Sequence, residues 1–533
     1  MPVKSSQHIL IYDTTLRDGT QGEGISFSAE DKLLLAHRMD EFGFDYIEGG
    51  WPGSNPRDME FFRVAKGHQF KHAKLAAFGS TRRANLEAAE DPQLHQLIEA
   101  DTPVVTIFGK SWTLHVTDVL KTTLEENLNM IRESVAFLKD AGKEVVYDAE
   151  HFFDGYKKNP EYALSTLRAA VSGGADFVVL CDTNGGTQIL EFADIMNTVK
   201  DFCGKTPLGI HCHNDCGLGV ALSLAGAEAG ATMIQGTVNG YGERVGNANL
   251  TSIVPNLYFK MGYSLACEAN MDHLRKFSID VDKMANMTPN KKEPFVGESA
   301  FAHKGGVHAN AAKKVARSYE HMPPEKVGNR QRILLSDMSG SSSVFIKAKQ
   351  LGIDLKEKSP EMRAFLVKLK ELENKGYEFE NADASLFVLL HQHFLGFEDR
   401  FELVSYRTIS EVVRNSNTNI SEAVVKLRIE DDPKIQFSVS ESSGPVGAMD
   451  HAMRRAFGQH FPELGKVDLL DYKVRILQTG LGTDSVVQVL MKSGDGEESW
   501  WTCGADHSII EASYQALCDA FRYKLIKEKD EKS

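Results

Sequence analysis

The sequence predicts an α/β protein that begins with a (β/α)8 TIM barrel and continues into a helical region and a C-terminal α+β domain. Three observations support the barrel. Over residues 1–281, short β-rich runs alternate with amphipathic stretches, eight such runs are present, and no GxGxxG fingerprint follows the first of them. Strands separated by helices indicate parallel βαβ units, and eight units in this length are typical of a TIM barrel. A doubly wound open sheet is the alternative, and it predicts a glycine fingerprint where DTTLRDGTQGEG stands.

The eight predicted strands are short segments rich in apolar and β-branched residues. In chain order they are HILIYD (8–13), DYIEGG (45–50), AKLAAF (73–78), PVVTIF (103–108), KEVVYDAE (143–150), DFVVLCD (176–182), LGIHCH (208–213) and ATMIQGT (231–237). Helical periodicity between them is clearest from Ser28 to Gly43 and over residues 124–142. Because the active site of a TIM barrel lies at the C-terminal ends of its strands, residues that end these runs are the candidates for function.

The chain after the barrel divides into two further parts. Residues 282–400 are a connector, irregular and rich in Gly, Pro, Asn and His up to 340, with three helices expected between 341 and 396. One of these helices opens with Ser359 as N-cap and Pro360 in its first position. Residues 401–533 form a β-rich domain, with strands expected at 423–430, 434–440, 471–477, 485–491 and 498–502.

An internal repeat appears in this last domain. GAMDHAMRRAF and EASYQALCDAF, 64 residues apart, each place alanines four apart and then a phenylalanine on one helical face. The repeat predicts two similar halves, each a sheet with a helix. Chance spacing of the alanines is the alternative.

Composition narrows the class of protein. Hydrophobic residues at 42% and charged residues at 25% are typical of a globular chain. The 74 acidic against 60 basic residues give a net charge of −14, which argues against nucleic acid or an anionic membrane as partner. Seven cysteines without a CxxC motif indicate reduced thiols, and the start of the chain lacks a signal-peptide pattern. We therefore expect a cytoplasmic protein.

A metal site is predicted where strands seven, eight and one meet. His211 and His213 end strand seven two residues apart, so both side chains lie on the same face and can bind one ion. Asp18 follows strand one and Asn247 follows strand eight, and closure of the barrel makes these strands neighbours. A carboxylate, two imidazoles and an amide oxygen suit Zn²⁺, Mn²⁺, Co²⁺ or Mg²⁺. Without this convergence, two packing or surface histidines remain the alternative.

Further polar side chains are expected at the same rim. Arg17 precedes Asp18, and Glu48 ends strand two, where an ion pair would orient the guanidinium; a purely structural salt bridge is the alternative. Three more candidates for the rim end strands five and six: Tyr147, Glu150 and Thr183. A hydroxyl and an arginine beside a metal can hold an α-keto carboxylate while its carbonyl is polarised, which predicts carbonyl addition.

His308 is the candidate general acid or base. It lies in HKGGVHAN within the irregular connector, and long connectors often carry functional residues. We expect it to reach over the barrel mouth, with a non-catalytic connector histidine as the alternative.

Several segments resemble the acyl-CoA-condensing metal enzymes of the TIM-barrel type, the family of the 2-isopropylmalate, homocitrate and citramalate synthases. DTTLRDGTQGEG, HCHND and GERVGNANL are similar to that family, and the similarity runs nearly end to end. IEGGWPGSNPRD, TIFGKSW, LHVTDVL and YDAEHFFDGY resemble its citramalate-forming branch. The resemblance implies that the four metal candidates bind a divalent ion, that Arg17 and Thr183 contact the keto acid, and that Glu150 and His308 transfer protons. One departure is His151, which follows Glu150 where family members often carry Asp.

The resemblance implies a Claisen-type condensation of acetyl-CoA with pyruvate, followed by thioester hydrolysis to citramalate and CoA. Arg17 and the metal are then expected to stabilise the new alkoxide. The first alternative is a 2-isopropylmalate synthase, which uses 2-oxoisovalerate. A metal-dependent acyl-CoA lyase is disfavoured by residues 401–533, which small lyases do not need. A non-catalytic metabolite-binding protein would not require Arg17, Glu150 and His308 beside a metal.

The resemblance further implies feedback control by residues 401–533. Citramalate leads toward isoleucine, so isoleucine is the implied effector, and a homodimer is expected. The alternative is a domain that supports dimerisation alone.

Overall fold

The computed structural model describes residues 7–303, 319–333, 341–356, 359–413, 418–430, 432–458, 460–477 and 485–532. The chain divides into two compact units. The first is Met1–Phe301 with Met322–Arg330, and the second is Ala302–His321 with Gln331–Ser533. No helix within the described ranges is both long and apolar enough to cross a membrane.

The first unit contains a closed barrel of eight parallel strands in sequential order. Its strands are β1 Leu10–Asp13, β2 Tyr46–Gly50, β3 Lys74–Ser80, β4 Val104–Lys110, β5 Glu144–Glu150, β6 Phe177–Asp182, β7 Leu208–Cys212 and β8 Met233–Gly236. Asp13 of β1 aligns with Ile47 of β2 on one side and with Gly236 of β8 on the other, which closes the barrel. The predicted TIM barrel is therefore confirmed.

Helices connect successive strands, and the last two helices follow β8. They are α1 Ala29–Phe42, α2 Pro56–Ala65, α3 Pro92–Glu99, α4 Leu124–Asp140, α5 Phe152–Lys158, α6 Pro160–Gly173, α7 Ile189–Cys203, α8 Gly219–Glu228, α9 Leu250–Pro255 and α10 Leu274–Met284. Helix α1 begins after Ser28, which forms a capping box with Asp31, and ends at Gly43, whose φ of 100° suits glycine. Local sequence signals thus place this helix where periodicity predicts it.

Side chains of the strands alternate between the barrel interior and the outer layer. The interior holds a small apolar cluster: Tyr12, Tyr46, Ala76, Val104, Val146, Val179, Cys181 and Met233. The larger apolar core contains the alternate strand residues and the helices that cover them. Because Val146 faces inward, Asp148 and Glu150 on the same strand also face inward, whereas Tyr147 faces the helices.

The second unit opens with a pair of two-residue strands and three helices. These elements are β9 Ala302–His303, β10 Arg332–Ile333, α11 Ser341–Gln350, α12 Pro360–Asn374 and α13 Asp383–Phe394. Ser359 caps α12 by accepting the backbone N–H of Met362, and Pro360 occupies the first helical position. The three helices predicted between 341 and 396 are all present.

The C-terminal part consists of two three-stranded antiparallel sheets, each followed by a helix. The first half is β11 Phe401–Val413, β12 Thr418–Ile429, β13 Gln436–Ser442 and α14 Pro445–Phe457, and the second is β14 Asp468–Ile476, β15 Val487–Gly494, β16 Ser499–Asp506 and α15 Ile509–Lys532. The repeated alanines are buried, and the rings of Phe457 and Phe521 meet edge to face at 5.3 Å. The predicted two-half repeat is therefore present.

Candidate active site

Asp18, His211 and His213 converge at the C-terminal end of the barrel. All three side chains are buried, and their ligand atoms lie within 4.8 Å of one another. His211 Nε2 lies 3.2 Å from Asp18 Oδ2. Two atoms that each lie about 2.1 Å from one ion are separated by about 3.0–3.4 Å, so this spacing fits a shared divalent ion.

Asn247 joins this cluster from the loop after β8. Its Nδ2 lies 2.7 Å from Asp18 Oδ2 and 3.2 Å from His211 Nε2. Within the described residues, Asn247 Oδ1 and His213 Nδ1 are buried without a hydrogen-bond partner. Rotating the amide by 180° directs its oxygen toward Asp18 and His211, where it can serve as a ligand. The structure thus brings together all four predicted metal residues, and their carboxylate, imidazole and amide groups suit a divalent ion.

The protonation of these groups also suits a metal. Burial lowers the pKa of His213 to about 4, so the imidazole is neutral at pH 7. At Asp18 burial opposes ionisation, but Arg17 and the two imidazoles outweigh it and hold the pKa of the carboxyl well below its usual value. Burial also opposes the charged form of His211, yet the neighbouring Asp18 carboxylate raises the pKa of this imidazole overall. A metal ion would displace the proton that the raised pKa favours on His211.

Arg17 is held rigidly beside the cluster of Asp18, His211 and His213. Its Nε donates to Glu48, its Nη1 lies 3.3 Å from Asp18 Oδ1, and its Cζ lies 3.7 Å from the centre of the Phe78 ring. Glu48 is fully buried and accepts a second hydrogen bond from the Tyr12 hydroxyl at 2.8 Å. The predicted pairing of Arg17 with Glu48 is therefore present, and it fixes the direction of the guanidinium.

Three aromatic side chains line the same side of the barrel mouth. Trp51 meets Phe78 at 5.7 Å and Phe108 at 5.5 Å, both edge to face, while Phe78 and Phe108 stack at 5.5 Å. With Arg17 stacked on Phe78, this aromatic wall places apolar surface directly beside the guanidinium.

Glu150 and Thr183 lie at the rim as predicted. Glu150 forms an ion pair with Lys110 at the end of β4. Thr183 Oγ1 accepts the backbone N–H of His151 at 2.9 Å, and His151 adopts a left-handed φ of 54°. His308 lies outside the described residues, so its role stays a prediction.

Tyr147 does not belong to the rim. Its side chain is fully buried in the layer between the strands and helices, together with Ile131 of α4. Its hydroxyl lies beside Gly109 of β4, another outward position. The prediction that Tyr147 binds substrate is wrong, because alternation along β5 turns position 147 away from the interior that 148 and 150 share.

Sequence reasoning missed three inward-facing residues, Lys110, Asp148 and Gln235. Gln235 Oε1 lies 2.8 Å from His211 Nδ1, and its Nε2 donates to Asp148 Oδ1 at 3.2 Å. Burial raises the pKa of Asp148 to about 7. The two-residue alternation places Asp148 on the same face as the predicted Glu150, but alternation alone does not tell which face of a strand points into the barrel.

Three family models match the chain. The HMGL-like model matches residues 8–281, the homocitrate synthase post-HMGL domain-like model matches 295–377, and the LeuA allosteric (dimerisation) domain matches 380–525. Together with the barrel and its buried Asp-His-His cluster, these matches define an HMGL-like TIM-barrel enzyme with a C-terminal LeuA-type domain.

Curated relatives narrow this class. The (R)-citramalate synthase of Aquifex aeolicus is 51% identical, with 99% of both chains covered. The (R)-citramalate synthase of Geobacter sulfurreducens is 48% identical, with 98% of both chains covered. The 2-isopropylmalate synthase of Methanocaldococcus jannaschii is 32% identical over 97% of this chain and 95% of its own. The chain belongs to the (R)-citramalate synthase family, as the resemblance in its sequence predicts.

Proposed function

We propose that the protein condenses acetyl-CoA with pyruvate and hydrolyses the thioester product, giving (R)-citramalate and CoA. The observation that carries this proposal is the buried cluster of Asp18, His211 and His213 with Arg17 beside it. It occurs in a chain that is 44–51% identical to five (R)-citramalate synthases over nearly its whole length. The 2-isopropylmalate synthases are more distant, at 30–32% identity.

The residues that would hold the metal are Asp18, His211 and His213, with Asn247 as the fourth ligand. When bound, a divalent ion supplies Lewis-acid polarisation of a carbonyl group. The mixed nitrogen and oxygen donors suit Zn²⁺, Mn²⁺, Co²⁺ or Mg²⁺.

Arg17 and Thr183 bind and orient the keto acid in this proposal. Glu48 and Phe78 fix the Arg17 guanidinium before substrate arrives, so it can neutralise the developing alkoxide without reorganising. The Thr183 oxygen already accepts the N–H of His151, which leaves its own O–H to donate to the substrate carboxylate.

Proton transfer is assigned to Glu150 and His308. A proton leaves the acetyl-CoA methyl group, the enolate carbon forms a bond to the keto carbon of pyruvate, and the alkoxide takes up a proton. Water then cleaves the thioester and releases CoA. Lys110 orients the Glu150 carboxylate through their ion pair, which places it at the barrel mouth.

Pyruvate is proposed as the keto acid because the (R)-citramalate synthases are the more similar relatives, at 44–51% identity. The aromatic wall of Trp51, Phe78 and Phe108 lies beside Arg17, where the tail of the keto acid would contact it. Each added methylene changes transition-state binding by about 1–3 kcal/mol, which corresponds to about 10- to 200-fold in kcat/KM. We therefore expect pyruvate to be the preferred substrate.

Release of the CoA thiol tests this proposal. The assay compares pyruvate with 2-oxoisovalerate at fixed acetyl-CoA. Equal or reversed kcat/KM values would favour a 2-isopropylmalate synthase. Release of CoA from neither, combined with cleavage of citramalyl-CoA to acetyl-CoA and pyruvate, would favour a lyase, and no turnover in either direction would favour a binding protein.

The domain roles and regulation belong to the same proposal. Residues 1–281 would be catalytic, 282–400 a connector, and 401–533 a regulatory domain that dimerises and responds to isoleucine on the pathway to that amino acid. The match to the LeuA allosteric (dimerisation) domain supports this assignment. Apolar side chains exposed on the two C-terminal sheets also support a homodimer; among them are Ile409, Ile420, Phe437, Leu470 and Ile476.

Two measurements test the regulation. Isoleucine and leucine are titrated while CoA release is measured. A coupling free energy of about 1–3 kcal/mol between isoleucine binding and substrate binding predicts that isoleucine weakens the apparent affinity for substrate by about 5- to 150-fold. Sedimentation velocity measures whether the protein is a dimer. If neither amino acid changes the rate of CoA release, dimerisation would be the only role of this domain.

We also propose a cytoplasmic location. All seven cysteines are free thiols, and free thiols are typical of a reducing compartment.

A further inference from the structure

A chain of hydrogen bonds runs from the barrel interior to His211, one of the predicted metal ligands. His211 of β7 and Gln235 of β8 are cross-strand partners, and His211 Nδ1 lies 2.8 Å from Gln235 Oε1. Gln235 Nε2 in turn lies 3.2 Å from Asp148 Oδ1 on β5. All three side chains are buried, and Gln235 has no exposed surface. Water therefore does not compete for these contacts.

Only one assignment of donors and acceptors fits this series of hydrogen bonds. A neutral imidazole carries one N–H and one lone pair. Because the Gln235 oxygen accepts from Nδ1, the lone pair of His211 is on Nε2, the atom that lies 3.2 Å from Asp18. The Gln235 amide keeps this orientation because its NH₂ group faces the Asp148 acceptor. A reversed amide would direct NH₂ at Nδ1 and move the proton to Nε2, where it would block a metal.

We propose that Gln235 and Asp148 are positioning residues that hold the metal ligand His211 in the tautomer that binds metal. The inference rests on the metal site of the proposed function and adds two residues outside the ligand set. Partners that orient a ligating histidine typically contribute about 10- to 100-fold to metal affinity. The same loss is expected here when the hydrogen-bond chain is broken.

Mn²⁺ binding to the full-length, metal-stripped protein tests this without turnover. The EPR signal of free Mn²⁺ gives the dissociation constant for the wild type, Asp148→Leu and Gln235→Met. We expect both variants to bind about 10- to 100-fold more weakly. Thr106→Val is the matched control, since Thr106 is a fully buried interior residue whose hydroxyl contacts Tyr12 rather than Gln235. Its affinity should equal that of the wild type.

The conservative variant Asp148→Asn separates positioning from a general structural effect. Its amide oxygen can still accept from Gln235, so most of the affinity should return. Affinity as low as in Asp148→Leu would overturn the acceptor role. Wild-type affinity in both Asp148→Leu and Gln235→Met would overturn the whole inference.

Two further outcomes are informative. If Asp148→Leu does not fold, judged by circular dichroism and Tm, Gln235→Met and Asp148→Asn still decide the question. If the wild type binds no Mn²⁺, or if His211→Ala binds it unchanged, the metal site itself is refuted and the positioning roles fall with it. Weakened binding in Asp148→Leu and Gln235→Met, with loss of binding in His211→Ala and wild-type affinity in Thr106→Val, supports both.

Discussion

Replacing Arg17 by lysine tests how much the shape of the guanidinium contributes to the site. Arg17 pairs with Glu48, approaches Asp18 at 3.3 Å and stacks on Phe78 at 3.7 Å. Lysine keeps one positive charge on a single nitrogen at the end of a flexible chain. It can contact Glu48 or reach the substrate, but it cannot do both.

The size of the effect follows from these contacts. A hydrogen bond to a charged group contributes about 1.5–3 kcal/mol, and a cation–π contact about 0.5–2 kcal/mol. Only 11% of the Arg17 side chain is exposed, so water replaces little of what is lost. A loss of about 2–4 kcal/mol from the transition state lowers kcat/KM by about 30- to 1,000-fold.

The assay is CoA release with varied pyruvate and saturating acetyl-CoA. Arg168→Lys is the matched control, because Arg168 also stacks on a phenylalanine, Phe202, at 4.7 Å, but on the exposed outer surface of the barrel. The control should behave as the wild type. If Arg17→Lys has the wild-type Tm and a kcat/KM within about threefold of the wild type, the guanidinium fork has no catalytic role.

Four further outcomes are expected. Tyr147→Phe should leave kcat/KM for CoA release unchanged, because the hydroxyl lies outside the barrel interior, and a large loss would return Tyr147 to the site. His213→Ala should abolish Mn²⁺ binding in the EPR titration while the circular dichroism spectrum stays that of the wild type; retained binding would exclude His213 as a ligand. Burial raises the pKa of Asp13 to about 7, so the native state keeps a proton that the unfolded chain has lost, and the free energy of unfolding falls by about 2–3 kcal/mol from pH 5 to pH 8. Asp13→Asn should reduce that fall in urea unfolding, and an unaltered pH dependence would argue against the shifted pKa. Phe521→Ala should destabilise the second unit by about 3–5 kcal/mol, because its ring packs against Phe457, and an unchanged Tm for that unit would contradict this packing.

The barrel could be predicted because its signals are local and repeated. The capping box at Ser28, the left-handed Gly43 and the eight apolar runs are each legible over a few residues. β11 was missed for the opposite reason. Most of its side chains are exposed, and only Phe401 is buried among those described, so its β-branched and aromatic residues do not form the buried apolar run that marks the barrel strands.

The convergence of Asp18, His211 and His213 was predictable for a topological reason. The two-residue spacing sets His211 and His213 on one face, and barrel closure brings the ends of β7, β8 and β1 together, with Asp18 and Asn247 beside them. The predicted pairing of Arg17 with its carboxylate partner followed from the same adjacency, because β1 and β2 are neighbours.

The sequence by itself determined the order of the eight barrel strands, the limits of α1 and the convergence of four polar residues at the barrel mouth. The tertiary structure decided which residues of each strand face the interior. Along β5, Asp148 faces the barrel interior and Tyr147 faces the helices, although the tyrosine is the more conspicuous candidate for substrate binding in the sequence. A shift of one residue in register exchanges the two faces of a strand, and that register is fixed only when all eight strands close into the barrel.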